Sequence, residues 1–369
     1  MRQHPRSVVA GNAWPLLVLA SLLLGGCSTS KDSPPAAAAG DQGSNGAGEH
    51  TAADATRQTD LPERPDAGPS PAASSQLPHA GLLADLVGDD VSRRSIAGEE
   101  LAADPPGGEQ LVEIWRDGDP GQRRGAAFYA MGIYRGDDPR IEDAAIQALK
   151  DPDARVRGLS LELVKRFPLS RFTPLVDQVL AMLQAEEDVK NRATVARMLA
   201  GWPVERDRVQ RGLAKSVLGD PGVAVRSAAL VSLYRIADEE LLLETLQKVI
   251  RDDQDPSLRR LAIARLGRLG AAAEGTARLV ATSLEDEDEG VSDAAARTLT
   301  LLGPTAIPEL IRALESSSPR TRRLACFALG TMAAPARPAI PGLKKLLEDP
   351  EEDIRELAKV AIRNILLGE

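Results

Sequence analysis

Small and apolar residues recur along the C-terminal two thirds of the chain with a period of about 33 residues. Three residues after each aligned polar position lies a small residue, and seven residues after it lies an apolar residue, except at Arg197. Positions i, i+3 and i+7 share one face of an α-helix, so each copy is predicted to contain a closely packed helix. The aligned positions, spaced by 34, 33, 36, 33, 33, 30 and 33 residues, are Arg123, Arg157, Lys190, Arg226, Arg259, Ser292, Arg322 and Arg355.

A second set of apolar positions lies between these helices, for example Ile141, Ala145 and Leu149, and predicts a first helix in each copy. A helix pair of this length cannot bury its own apolar face, so neighbouring pairs must stack. The pattern therefore predicts an all-α fold, an α-α superhelix or solenoid of about eight helix pairs.

The turn between the two helices of a copy is commonly Asp-Pro. Aspartate or serine caps free backbone N–H groups, and proline suits the first helical position because it has no N–H. The second helix is therefore predicted to begin at the proline of each dipeptide. The dipeptides are Asp119-Pro120, Asp151-Pro152, Asp220-Pro221, Asp255-Pro256 and Asp349-Pro350, with Ser318-Pro319 as an equivalent.

Residues 1–26 have the features of a secretory signal. A basic start precedes an apolar run from Ala13 to Leu24, which is too short to cross a bilayer as a helix. The run closes with Leu24-Gly25-Gly26-Cys27, which resembles the lipobox of bacterial lipoproteins. The resemblance implies that Cys27 becomes the lipid-modified first residue of a protein of the bacterial cell envelope, held at the membrane by several acyl chains. The alternative is an ordinary signal peptide with an incidental cysteine.

Ser28 follows the cysteine where inner-membrane lipoproteins of enteric bacteria carry an aspartate, so the resemblance favours the outer membrane, facing the periplasm. Residues 27–80 are rich in Ala, Gly, Ser, Pro and Asp and cannot offset their ordering entropy by burial, so a disordered tether is predicted. Residues 81–108 are interpreted as one atypical capping helix, and residues 109–369 as the array.

The array resembles HEAT repeats. The resemblance rests on Asp-Pro turns, on Ala328 to Gly330 and Leu302 to Pro304, and on Pro338 to Pro341. The short period is similar to the variant found in phycobilisome lyases. The resemblance covers Glu109 to Leu367 and implies a superhelix whose second helices line a concave face and present it to a partner. It does not imply lyase activity, since most such arrays only bind.

The resemblance also implies a role for the aligned arginines. They are expected to form a structural ladder of hydrogen bonds and ion pairs with turn aspartates of the same or the next copy, and the alternative is a ligand-binding stripe. The predicted ladder residues are Asp119, Arg123, Asp151, Arg157, Asp220, Arg226, Asp255, Arg259, Arg322, Asp349 and Arg355.

Residues that support catalysis are scarce. The three histidines, at positions 4, 50 and 79, are all assigned to the signal or the tether, which excludes Ser-His-Asp and Cys-His catalysis and the usual zinc sites in the array. Cys326 is the one thiol of the array and is interpreted as a core residue rather than a reactive thiol. No catalytic residue, cofactor or metal is predicted.

Two clusters have a functional and a structural interpretation. The acidic run Glu285 to Glu289 offers oxygen ligands for a divalent cation but lacks the EF-hand spacing, so a solvated turn is favoured. Aromatic residues, only 3% of the chain, concentrate between Trp115 and Tyr234, where filling of the core is favoured over a peptide-binding patch.

Arginine is concentrated in the segment Pro256 to Gly270, which contains no acid. If second helices line the concave side, the formal net charge of −9 conceals a basic strip in the middle of the array. Such a strip favours an acidic protein, an anionic glycan or a lipid head group as the partner, and the scarcity of interleaved aromatics disfavours nucleic acid. The alternative is a solvated face. The predicted contact residues are Arg260, Arg265, Arg268, Arg297 and Arg323.

The sequence thus predicts a lipid-anchored, non-catalytic scaffold that binds a protein partner, and leaves its oligomeric state open. One alternative is a lyase-like or pigment-binding protein, for which Cys326, beside Phe327, is the candidate ligand-binding thiol. Another is a structural envelope lipoprotein that binds glycan.

Overall fold

The computed structural model describes residues 77–136, 138–270 and 275–368. The predicted signal peptide, Cys27 and the tether up to residue 76 lie outside these residues. Within the described ranges every regular element is helical. The predicted all-α solenoid of stacked helix pairs is confirmed. The described residues fall into two compact units, which are divided between Ala148 and Leu149.

The described part of the first unit contains five α-helices. Leu83, Leu101, Leu111 and Ile114 form its core and are fully buried. Helix α1 lies directly on α4 at Gly125, where a Cβ atom would meet the carbonyl oxygen of Leu83 at 1.7 Å, so only glycine fits this crossing. The helices are α1 (Ala80–Leu86), α2 (Val91–Ala103), α3 (Gly108–Asp117), α4 (Pro120–Ile133) and α5 (Pro139–Ala148).

Residues 81–108 do not form the single capping helix that was predicted. They contain most of α1 and all of α2, because Asp90 turns its side chain back to accept hydrogen bonds from the N–H groups of Ser92 and Arg93 and so starts a new helix. The folded region also begins earlier than expected. His79, which was assigned to the tether, contacts Gln110 Oε1 at 3.2 Å and Asp104 Oδ2 at 3.1 Å. The folded region therefore does contain a histidine.

The second unit continues the alternation of first and second helices. Its helices are α6 (Ala154–Val164), α7 (Phe172–Ala185), α8 (Val189–Leu199), α9 (Arg206–Gly219), α10 (Val223–Ile236), α11 (Glu239–Asp252), α12 (Pro256–Gly267), α13 (Ala277–Thr282), α14 (Glu289–Leu302), α15 (Ile307–Ala313), α16 (Pro319–Met332), α17 (Ile340–Lys345) and α18 (Glu352–Leu367). Short 3-10 segments extend several first helices, as at Ser283–Glu285 and Leu346–Glu348.

The even-numbered helices of this unit are the second helices, and each packs against the next along the chain. Leu161, Leu230, Ile263 and Cys326, four residues after their aligned arginines, are fully buried between copies. Within the described ranges, none of the helices combines the length and the apolar character that a bilayer crossing requires.

The third copy has a different register from the one the sequence pattern suggested. Arg192, not Lys190, occupies the position of the aligned arginines, because Arg192 makes their hydrogen bonds to the preceding turn. With this register Val195 and the fully buried Leu199 fall at the core positions, and Arg197 no longer interrupts the apolar series.

The Asp-Pro dipeptides occur in two registers. Pro120, Pro256 and Pro319 open their helices as predicted. The prediction is wrong for Asp151-Pro152, Asp220-Pro221 and Asp349-Pro350, whose helices begin two residues after the proline, at Ala154, Val223 and Glu352. Asp220 and Asp349 are held in extended backbone ahead of the cap, a conformation that a following proline favours.

Candidate binding groove

At most interfaces between consecutive copies in the second unit, one arginine joins the two copies. In the clearest example, Arg322 Nε and Nη2 donate to Asp349 Oδ2 and Oδ1 at 2.7 and 2.9 Å, while Nη1 donates to the carbonyl oxygens of Ser316 and Ser317. Asp349 also accepts the N–H of Glu351 at 3.0 Å. One guanidinium group therefore ties its own turn to the turn of the next copy with four hydrogen bonds.

The same arrangement recurs at four other interfaces. We call this set the interface ladder: Arg157–Glu186, Arg192–Asp220, Arg226–Asp253, Arg259–Asp286 and Arg322–Asp349. All ten side chains are at least four-fifths buried. The acid lies six residues before the aligned position of its own copy, as Asp220 does before Arg226.

Three of the residues expected in the ladder contact the turns of their own copies. Arg123 Nη1 donates to the Gly118 carbonyl oxygen at 2.7 Å, and Arg355 Nη1 donates to those of Asp349 and Pro350 at 2.6 and 2.9 Å. The Asp151 carboxylate accepts the N–H of Asp153 at 2.8 Å, and its carbonyl oxygen accepts a hydrogen bond from Arg157.

Two residues that the Asp-Pro pattern places in the ladder have another role. Asp255 caps α12 by accepting the N–H and hydroxyl of Ser257, and Asp253 binds Arg226 instead. Asp119 caps α4 in a reciprocal capping box with Gln122. The predicted ladder role of Asp119 and Asp255 is therefore wrong. In both copies the proline directly follows the aspartate as the first helical residue, so the aspartate is the N-cap.

One interface lacks both members of the ladder. Ser292 stands in place of the arginine and Ser316 in place of the acid. Ser292 donates to the Glu289 carbonyl oxygen, and Ser316 donates to Glu285 Oε1 at 2.8 Å. Because arginine and acid are replaced together, neither charge is left buried without its partner.

The ladder also changes the titration of the Arg322–Asp349 pair. The hydrogen bonds from Arg322 hold the pKa of the Asp349 carboxyl below its ordinary value, and the same bonds raise the pKa of Arg322. The ladder arginines are therefore committed to the fold and are not available to a ligand.

A second group of arginines lies on the exposed face of the same helices. Arg260 on α12, Arg268 at the C-cap of α12 and Arg297 on α14 are exposed and line an open groove of about 580 Å³. Leu261, Ala264 and Leu301 supply apolar surface between them. We call this site the arginine groove, defined by those six residues.

The three guanidinium groups of the arginine groove make no hydrogen bond or ion pair with any residue that the structure describes. Arg260 reaches across to the first turn of α14, where a Cβ atom on Gly290 would lie 2.9 Å from Arg260 Nη1. Leu301, with 64% of its surface exposed, is among the most exposed large apolar side chains of the described residues. Free cations beside exposed apolar surface are suited to an anionic, partly apolar ligand.

The other two predicted contact residues lie elsewhere. Arg265 stacks over the ring of Tyr234 with its guanidinium carbon 4.8 Å from the ring centroid, a cation–π contact within the array. Arg323 is paired with Asp353 at 3.2 Å. Neither is part of the arginine groove, which gathers three of the five arginines.

The family model for HEAT repeats matches residues 176–267 and 276–363. The chain is a HEAT-repeat protein. The short-period variant found in lyases is not distinguished by this match. No curated protein matches the sequence.

Three solved structures are similar to this HEAT-repeat protein. An engineered protein from a structural genomics consortium has a TM-score of 0.42 and 19% identity, over 79% of this chain and 89% of that chain. A chain of the Kap95p–RanGDP structure has a TM-score of 0.42 and 14% identity over 80% of this chain. Importin beta has a TM-score of 0.45 and 13% identity over 79%. The alignments cover 50% and 46% of those last two chains.

The other candidate sites of this HEAT-repeat protein belong to its framework. Cys326 is fully buried, and burial raises the pKa of its thiol to about 12. In the acidic run, Asp286 binds Arg259 and Asp288 caps α14. No group of acids, histidines or cysteines suited to a metal ion occurs among the described residues.

Most aromatic residues in the N-terminal half of the HEAT array serve its core, whereas Phe327 is exposed. Tyr129, Tyr134 and Phe167 are buried, and Trp202 stacks on Phe172 with ring centroids 4.6 Å apart. These side chains are not available as a peptide-binding patch.

The sequence pattern did not identify Arg192, Glu186, Asp253 and Asp286 as ladder residues. A search for an acid six residues before an arginine finds Glu186 with Arg192 and Asp253 with Arg259. The apolar members of the arginine groove, such as Leu301, carry no such signal, because exposure of a leucine depends on how the copies stack.

Proposed function

We propose that this HEAT-repeat protein is a non-catalytic scaffold that binds an acidic protein partner in the arginine groove. The observation that carries the proposal is the set of three exposed guanidinium groups, which have no polar partner among the described residues and are arranged around apolar side chains. An approaching carboxylate gains bidentate hydrogen bonds there without displacing an internal acid. Burial of Leu301 and its neighbours adds an apolar contribution.

Arginine beside apolar side chains is the composition of residues that dominate many protein interfaces. Binding of nucleic acid is a poorer match, because no aromatic side chain lines the groove on which a base could stack. A small anionic ligand fits the size of the groove and is the competing outcome of the test below.

The test uses a photo-crosslinking amino acid at Ala264, an exposed position inside the arginine groove. The crosslinked product is compared between the parent protein and the triple variant Arg260→Glu, Arg268→Glu and Arg297→Glu. The control variant makes the same change in net charge on first helices, where exposed Arg251, Arg278 and Lys344 are replaced by Glu. We expect a protein adduct that is lost in the groove variant and kept in the control.

Equal crosslinking of both variants would show that the arginine groove does not bind the partner. Absence of any protein adduct, with a small anion retained by the parent protein and lost by the groove variant, would replace the protein partner with a small ligand.

We also propose that lipid on Cys27 anchors the scaffold in a bacterial envelope, with the outer membrane favoured by Ser28. The proposal rests on the lipobox resemblance at Leu24 to Cys27. Cells producing the parent protein or a Cys27→Ser variant would be labelled with radioactive palmitate and fractionated. We expect label and membrane association in the parent protein alone. Label on the variant, or an unlabelled parent protein, would refute lipidation at Cys27.

A further inference from the structure

The arginine groove has a regular spacing of its cations. Counted from the aligned position of its own copy, Arg260 lies at +1, Arg297 at +5 and Arg268 at +9. Since second helices rise by 1.5 Å per residue, neighbouring cations are offset by about 6 Å along the helix direction, alternately on α12 and α14. The outer two are therefore about 12 Å apart on one helix.

The same spacing occurs on one face of an α-helix. Residues at i, i+4 and i+8 are also offset by steps of about 6 Å, and residues at i+3 and i+7 lie beside them on the same face. A strand directs alternate side chains to opposite sides, so it cannot place three acids and the intervening apolar side chains against one surface. A helix can direct its acids and its apolar side chains to the same surface, so that the apolar side chains meet Leu261, Ala264 and Leu301.

We infer that the arginine groove binds an amphipathic α-helix of its partner, with acids at i, i+4 and i+8 and leucine-like residues at i+3 and i+7. The inference rests on the proposed function and specifies its partner. The acids pair with Arg260, Arg297 and Arg268, and the apolar residues cover the exposed Leu301. The helix thereby satisfies the free cations and removes apolar surface from water in a single contact.

The probe is a fluorescein-labelled 13-residue peptide with glutamate at positions 1, 5 and 9, leucine at 4 and 8, and alanine elsewhere. Its binding to the full chain is followed by fluorescence anisotropy. One control peptide has the same composition with the leucines moved to the opposite helical face. A second control carries proline at position 6, which breaks the helix and keeps every charge.

We expect the probe to bind at least about tenfold more tightly than either control, a difference of about 1.4 kcal/mol. Single changes Arg260→Gln and Arg297→Gln should each weaken binding about fivefold, as for partly exposed ion pairs. The same change at Arg323, which is paired with Asp353, should leave binding unchanged.

Equal binding of all three peptides would show that the groove recognises charge alone and would overturn the helix. Equal binding of the proline peptide alone would show that the bound segment need not be helical and would also overturn the helix. In either case, groove-dependent crosslinking at Ala264 would leave the proposed function standing. Loss of both the peptide binding and the crosslink would overturn both.

Discussion

Arg259 and Arg260 are neighbours in sequence and have opposite roles. Arg259 is mostly buried and binds Asp286 with Nε and Nη2 at 2.9 and 2.7 Å, whereas Arg260 is exposed and makes no polar contact with a described side chain. One step along a helix turns a side chain by about 100°. The comparison shows that the face of the helix and the acid opposite it, not the residue type, decide whether an arginine holds copies together or stays exposed to solvent.

The interface at Ser292 and Ser316 extends this comparison. There the arrangement lacks both charges, and the copies still stack through buried residues such as Ala295 and Leu299. The interface ladder therefore adds to an apolar interface rather than creating it. Its value lies in fixing how consecutive turns are aligned, because each guanidinium group contacts two turns at once.

The largest expected effect is that of removing one charge of the ladder. Arg322→Met leaves the buried Asp349 carboxylate without its arginine, which should lower the local opening free energy by about 2 to 3 kcal/mol. Hydrogen exchange of the Glu351 amide, which is bonded to Asp349, reports this opening. Arg323→Met is the matched control, since its exposed pair with Asp353 should contribute less than about 1 kcal/mol. Similar losses in both variants would contradict the division of roles.

A smaller effect is expected when both charges are removed together. The double variant Arg322→Ser and Asp349→Ser copies the natural Ser292 and Ser316 interface. It should cost about 1 kcal/mol, less than Arg322→Met, because no buried charge is left without a partner. The same exchange measurement applies, and a double variant less stable than the single one would refute this explanation.

Acid should remove the contribution of the ladder gradually. The folded-state pKa of Asp349 lies below its ordinary value, so the pair stabilises the fold at neutral pH and loses that contribution as the pH falls below about 3.9. Asp286 and Glu186 are shifted in the same direction. The thermal midpoint, followed by circular dichroism from pH 7 to pH 2, should fall a few degrees further in the parent protein than in the double serine variant. Parallel curves would contradict a role for this pair.

The sequence contained enough to predict the helix pairs, because their apolar periodicity is set by local geometry. It also predicted that arginines would group on α12 and α14. It did not separate Asp253 from Asp255, because a cap and a ladder acid two residues apart have the same composition and differ only in backbone register. Nor did it separate Arg323 from the arginine groove, since its pairing with Asp353 depends on the next copy.

The most direct test of the account is a comparison of Arg259→Gln with Arg260→Gln by hydrogen exchange at the Asp288 amide, which is bonded to Asp286. Both variants lose one positive charge at adjacent positions. The account predicts that Arg259→Gln lowers the opening free energy by about 2 kcal/mol and that Arg260→Gln changes it by less than about 0.5 kcal/mol. Equal losses, or a larger loss for Arg260→Gln, would contradict the separation of the interface ladder from the arginine groove.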